Sequence, residues 1–154
     1  MSNADSVAQL TLDSFGNGRI GIAKTVSLAT TGNAVVTIPI LGGGLTNAGT
    51  VAGSGAVIVR RVTVQNPTGN VAAANVAISI SSTGNVATAN AVVGNVVLSN
   101  LTGAGTYQDL TVAGGFAANT VVNGSSTQCL YVNINTGSSN GTVDIAVYGD
   151  VVSF

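Results

Sequence analysis

The chain has no histidine, no glutamate and no tryptophan, and it has a single cysteine. Its four basic and five acidic side chains are spread over 154 residues. Each shortage excludes something. Without histidine, neither a Ser-His-Asp nor a Cys-His nucleophile can be assembled. Aspartate is then the one strong carboxylate acid or base, at Asp5, Asp13, Asp109, Asp144 and Asp150. Asp144 and Asp150 share a strand parity but are separated by roughly 20 Å at ~3.4 Å per residue, too far to act as a glycosidase pair. Zinc lacks its usual ligands, and no D-x-D-x-D-G loop is present for calcium, which leaves only scattered aspartates and carbonyls as cation ligands. No cofactor is expected. Residues 16–21, G-N-G-R-I-G, match G-x-G-x-x-G literally, but a strand-like run follows where a dinucleotide site needs a helix N-terminus.

Charge scarcity also bears on partners and fold. Charged residues are 6% of the chain, against about 25% in an average globular protein. Without glutamate, and with Lys24 as the lone lysine, the chain cannot build the usual outer face of a soluble helix. A net charge of −1 is not the basic footprint of a nucleic-acid binder. No apolar run approaches a spanning helix, so no membrane partner is expected. The first residues, M-S-N-A-D-S-V-A-Q, have neither the basic nor the apolar region of a secretory signal, and Cys129 has no partner for an intrachain disulfide. Folding in a cytoplasm is the expectation. Disorder is excluded by 45% apolar residues and a mean hydropathy of +0.52, since disordered chains combine low hydropathy with high net charge.

What is abundant is Val, Ile, Thr, Ser, Asn and Gly, the vocabulary of strands and turns. Period-2 alternation marks eight runs: 19–29, 34–41, 56–65, 75–81, 91–98, 107–112, 128–135 and 142–152. The expected inward sets include Ile20, Ile22, Val26 and Leu28 in the first run, Ile58, Val62 and Val64 in the third, and Val143, Ile145 and Val147 in the last. Pro39 points to an edge position or a strand end. No segment has helical periodicity. The fold expected is all-β: a single antiparallel β-sandwich of about eight strands, jelly-roll-like. Residues 1–18 read as an N-terminal arm and 19–154 as the sandwich domain. Thr-Gly-Asn occurs at 31–33, 68–70 and 83–85. Its unequal spacing means reused turns, with Gly or Asn tolerating positive φ, and not a repeat architecture. Residues 42–55 and 113–127 are loop-like.

Two features point to an interface. Strict alternation in 56–65 would turn Arg60 into the core beside Val62 and Val64. A β-bulge, an ion pair or a partner must therefore accommodate the pair Arg60-Arg61. Tyr107, Tyr131 and Tyr148 all fall on the parity opposite the aliphatic sets, where they can share one outer face and meet a partner. With so few charges and a net charge near zero, the surface has little electrostatic resistance to association.

The segments A-V-V-T-I-P-I, V-I-V-R-R-V-T-V-Q-N-P-T-G, N-V-A-I-S-I, Q-C-L-Y-V-N-I-N and V-D-I-A-V-Y-G-D resemble, in composition and strand rhythm, the small β-sandwich virion proteins of tailed bacteriophages. The resemblance covers about residues 34–152 and is greatest to capsid cement or decoration proteins of cyanophage-like phages. It implies a non-enzymatic protein made in the host cytoplasm and placed on the outer capsid surface. There it would form a homo-oligomer, trimer or dimer, that stiffens the capsid lattice. Other assembly or adhesion modules (a tail or fibre component, a surface-layer or pilus subunit) and a small glycan-binding sandwich are the alternatives.

Overall fold

The computed structural model describes residues 18–30, 33–40, 56–84, 90–113, 122–123, 129–139 and 141–152. Of the expected arm 1–18, residues 1–17 lie outside the described residues and Gly18 belongs to the first strand; the expected loop 42–55 lies outside them too. Every regular element described is a strand: β1 (Gly18–Ser27), β2 (Ala34–Pro39), β3 (Ala56–Gln65), β4 (Asn75–Ser79), β5 (Ala91–Val97), β6 (Tyr107–Leu110), β7 (Val122–Asn123), β8 (Cys129–Thr136) and β9 (Thr142–Val152). Eight of these are the expected strands. The ninth, β7, is two residues long and falls in the stretch 113–127 read as loop. Two residues cannot display a period, so no local signal marks it.

The strands form two antiparallel sheets. The first has the order β1-β9-β3-β6, with β7 also paired to β3. The second has the order β2-β8-β4-β5. The chain is thus all-β and sandwich-like, as expected. Pro39 ends β2, an edge strand, so its missing N–H interrupts no ladder. The core lies between the sheets. The largest fully buried side chains include Leu28, Ile38, Ile78, Leu98, Leu130, Ile134 and Ile145, drawn from both sheets and the turns beside them. On one side of the sandwich, the bridge Gly21↔Ile40 joins edge strands β1 and β2. On the other side, buried Gln108 of β6 donates to the Val97 carbonyl (2.9 Å) and accepts from the Asn100 N–H (3.0 Å), tying β6 to the end of β5.

Bulges correct the expected inward sets. In β3 the register to β9 slips between Val59 and Arg61, so Val59, Val62 and Val64 are the buried residues and Ile58 is half-buried. In β1 the register slips between Arg19 and Gly21 and again between Ala23 and Val26. Ile20, Ala23, Val26 and Leu28 point inward, and Ile22 sits half-buried opposite Ala146. An extra residue flips every side chain beyond it to the other face.

The second slip in β1 leaves Thr25 at φ 54°, and Asn66, just past β3, has φ 53°. Left-handed backbone is unfavourable for a β-branched residue. One carboxylate on β9 holds both positions: Asp144 accepts from the Thr25 N–H through Oδ1 (2.9 Å) and from Asn66 Nδ2 through Oδ2 (2.9 Å). Asp144→Ala should therefore lower stability by about 1–2 kcal/mol, the loss of two charge-assisted bonds at a partly exposed site. Urea unfolding measures this, and an unchanged midpoint would mean that the turns hold themselves. Of the Thr-Gly-Asn turns, Gly84 has positive φ (71°) and Gly69 does not; residues 31 and 32 lie outside the described set. The turn at Gly84 folds over the second sheet, where the Gly84 carbonyl accepts from Asn133 Nδ2 (3.1 Å).

Candidate functional site

The bulge in β3 explains the arginine pair. Alternation would send Arg60 and Arg61 to opposite faces, but the extra residue lets both work on the outer face of the first sheet. Arg60 Nε lies 3.1 Å from Asp150 Oδ2 on β9. Arg61 donates through Nε to Asp109 Oδ1 (3.0 Å) and through Nη2 to Asp109 Oδ2 (2.6 Å) on β6. Thr63 Oγ1 adds a third bond to Asp109 Oδ1 (2.7 Å). Two consecutive residues of β3 thereby clamp the strands on either side of it. The pairs differ in burial: the Arg61 side chain is 18% exposed, that of Arg60 34%. The fork geometry at Asp109 is the stronger kind of arginine–carboxylate contact. Of the accommodations expected for Arg60, the structure uses two together, a bulge and an ion pair.

The tyrosines divide between the two sheets. Tyr107 (β6) and Tyr148 (β9) belong to the first sheet and lie on either side of β3, opposite Gln65 and Arg61 respectively. Tyr131 is on β8 of the second sheet, between Thr37 and Ser79. One shared outer face for all three is therefore not what forms. Period 2 assigns a residue to the inside or outside of its own strand, but it does not say which sheet the strand joins. Tyr148 is 7% exposed, while Tyr107 stands 61% exposed.

Arg61, Thr63, Gln65, Asn66, Thr106, Tyr107 and Tyr148, with Gly105, surround an open depression of about 430 Å³ on the outer face of the first sheet. Its floor is fixed by the Asp109 network. Its rim is fixed by a turn in which Thr106 bonds the Gly103 carbonyl through both its N–H (3.2 Å) and its hydroxyl (2.6 Å). The lining offers amides, hydroxyls, one exposed aromatic ring and the Arg61 guanidinium, whose charge is matched by its partner Asp109. No sequence motif marks Gln65, Asn66 or Thr106; uncharged polar residues are so frequent in this chain that they carry no signal until the fold groups them.

Elsewhere, Gly18–Ile20 of the G-N-G-R-I-G match belong to β1 and not to a helix N-terminus. Asp144 and Asp150 sit on β9 with different partners. Among the described residues, no three His, Cys, Asp or Glu side chains group as metal ligands, and no helix is long and apolar enough to cross a membrane. Cys129, half-buried, starts β8. On the second sheet, the side-chain carbonyls Asn75 Oδ1 and Asn133 Oδ1 are buried with no hydrogen-bond partner among the described residues. Searches for a matching family model, a similar curated protein and a similar solved structure each find none.

Proposed function

We propose that the chain is a structural protein that binds and stabilises a capsid lattice, a cement or decoration protein of the virion surface acting as a small homo-oligomer. The observation that supports this reading is the fate of the charge. All three described carboxylates have partners inside the domain: Asp109 with Arg61 and Thr63, Asp144 with Thr25 and Asn66, and Asp150 with Arg60. Arg19 and Lys24 are the described charges outside these contacts. The surface that remains is one of amides, hydroxyls and small apolar groups, which hydrates well but repels neighbours weakly.

The strand pairing adds to this. The pairs β1·β9, β2·β8, β3·β6 and β4·β5 support the jelly-roll reading, an architecture that serves capsid and lectin domains among others. Because one fold hosts many functions, the charge pattern carries the reading and the topology agrees with it. Residues 1–17 and the glycine-rich segment 42–55 are the proposed contact segments, both without strand alternation in the sequence.

Sedimentation of the purified chain, alone and with assembled tailed-phage capsid shells, tests the proposal. A dimer or trimer and saturable pelleting with shells are expected. Removing residues 1–17, which ends just before β1, should weaken shell binding at least about tenfold, a loss of about 1.4 kcal/mol. The melting temperature of the domain should stay within about 2 °C, since no described strand is cut. A chain that remains monomeric at high concentration and pellets with no shell overturns the reading.

A further inference from the structure

We propose that the depression on the outer face of the first sheet binds a neutral oligosaccharide. The argument begins with the floor. The Arg61 guanidinium is already engaged side-on by the Asp109 carboxylate, at 3.0 and 2.6 Å. An anionic ligand would have to compete with that carboxylate for the fork, and a cation would meet the guanidinium. The local charge sums to zero, so the site suits an uncharged ligand. Of the wall groups, the Gln65 amide offers a donor and an acceptor, Asn66 keeps its amide oxygen beside the N–H given to Asp144, and the Thr63 and Thr106 hydroxyls, whose protons go to Asp109 and the Gly103 carbonyl, still accept, a set that recognises hydroxyls.

Tyr107 supplies the other half of the chemistry. It is 61% exposed in a chain with only 4% aromatic residues, and it lines the depression. A pyranose ring has an apolar C–H face and hydroxyl-bearing edges. One face can lie on the Tyr107 ring while the edges reach the amides and hydroxyls beside it. The floor and rim are set by internal hydrogen bonds before any ligand arrives, which reduces the ordering cost of binding. A depression of about 430 Å³, open to solvent, suits two or three sugar units held weakly. Scattered tyrosines and the lack of tryptophan weigh against glycan binding in the sequence; the fold removes the first objection by bringing Tyr107 and Tyr148 to the same depression.

The test is an amide NMR titration of the full chain with cellotriose, maltotriose, mannotriose and N-acetylchitotriose. At least one should shift amides confined to residues 61–66, 105–109 and 148, with a dissociation constant of about a millimolar, as expected for one shallow site. Tyr107→Ala, a change at an exposed position, should weaken binding at least about tenfold. Tyr131→Ala, on the other sheet, should leave it unchanged. No shift with any of the four sugars overturns the proposal, as does equal binding by Tyr107→Ala. Tighter binding of an acidic sugar, or the same amides moving with protein concentration alone, also overturns it, since the latter would mean that a second copy of the chain fills the site. The proposal is independent of shell binding, and either can fail alone.

Discussion

Gly149→Ala should be the most damaging single-methyl change available to this domain, lowering stability by about 3 kcal/mol or more, or preventing folding altogether. Gly149 lies on β9 opposite Val59, where the β3 bulge begins. A Cβ added there would overlap the Ile58 carbonyl oxygen and sit 3.2 Å from the Val59 Cα. Both obstacles are backbone in the next strand, so no side chain can turn aside to relieve them. The two strands would have to separate where the bulge already bends one of them, and the ladder carrying Arg60 and Arg61 would open. β1 borders the same point, with Gly18 paired to Gly149, so the strain extends across three strands. Gly94→Ala is the matched control. A Cβ at that position meets nothing within 4 Å, so its effect should stay within about 0.5 kcal/mol. Urea unfolding of both variants decides the matter; similar midpoints would mean that β9 shifts freely past the bulge.

Asp109→Ala is expected to have the next largest effect, about 2 kcal/mol. Three donors converge on this carboxylate, two from Arg61 and one from Thr63. Arg61 is only 18% exposed, so removing its partner leaves a largely covered cation to find water where little is available. A fully buried pair broken in this way costs about 3–5 kcal/mol, and the 43% exposure of Asp109 moderates the figure. The neighbouring pair calibrates it. Asp150→Ala, which breaks the more exposed contact with Arg60 (34% and 53% exposed), should cost no more than about 0.5–1 kcal/mol. A double-mutant cycle over Arg61 and Asp109, set beside one over Arg60 and Asp150, gives the two coupling energies. The first should exceed the second at least twofold, and equal values would refute the ranking by burial. Because Asp109 also fixes the floor of the depression, its loss should blur the NMR signals of Thr63 and Tyr107 even where the domain stays folded.

Much of this architecture was legible in the residues themselves. Lacking glutamate and nearly lacking lysine, the chain has no material for exposed helix faces, and period-2 alternation located eight of the nine described strands. Pro39 marked a strand end. In β8, Leu130, Val132 and Ile134 are inward as alternation expects; in β9, Val143, Ile145 and Val147 are too, but Ala146 and Tyr148 of the opposite parity are also buried. The Arg60-Arg61 pair announced a break in alternation, and a bulge is what lies there.

The remainder depended on partners far away in sequence. Which side of a strand is buried is a local property; where a bulge falls is settled by the strand opposite. Val59 therefore displaced Ile58 from the core, and Ala23 displaced Ile22. β7 exists only because β3 offers it two residues of ladder. Asp109 reaches Arg61 across 48 positions, and Tyr107 and Tyr148 meet at one depression while Tyr131 goes to the other sheet, because sheet order assigns each strand its neighbours. Composition and alternation, being short-range, determined that this chain is a β-sandwich and which side of most strands faces inward. Pairing, register and the grouping of its few charged and aromatic side chains are long-range, and only the tertiary structure decided them.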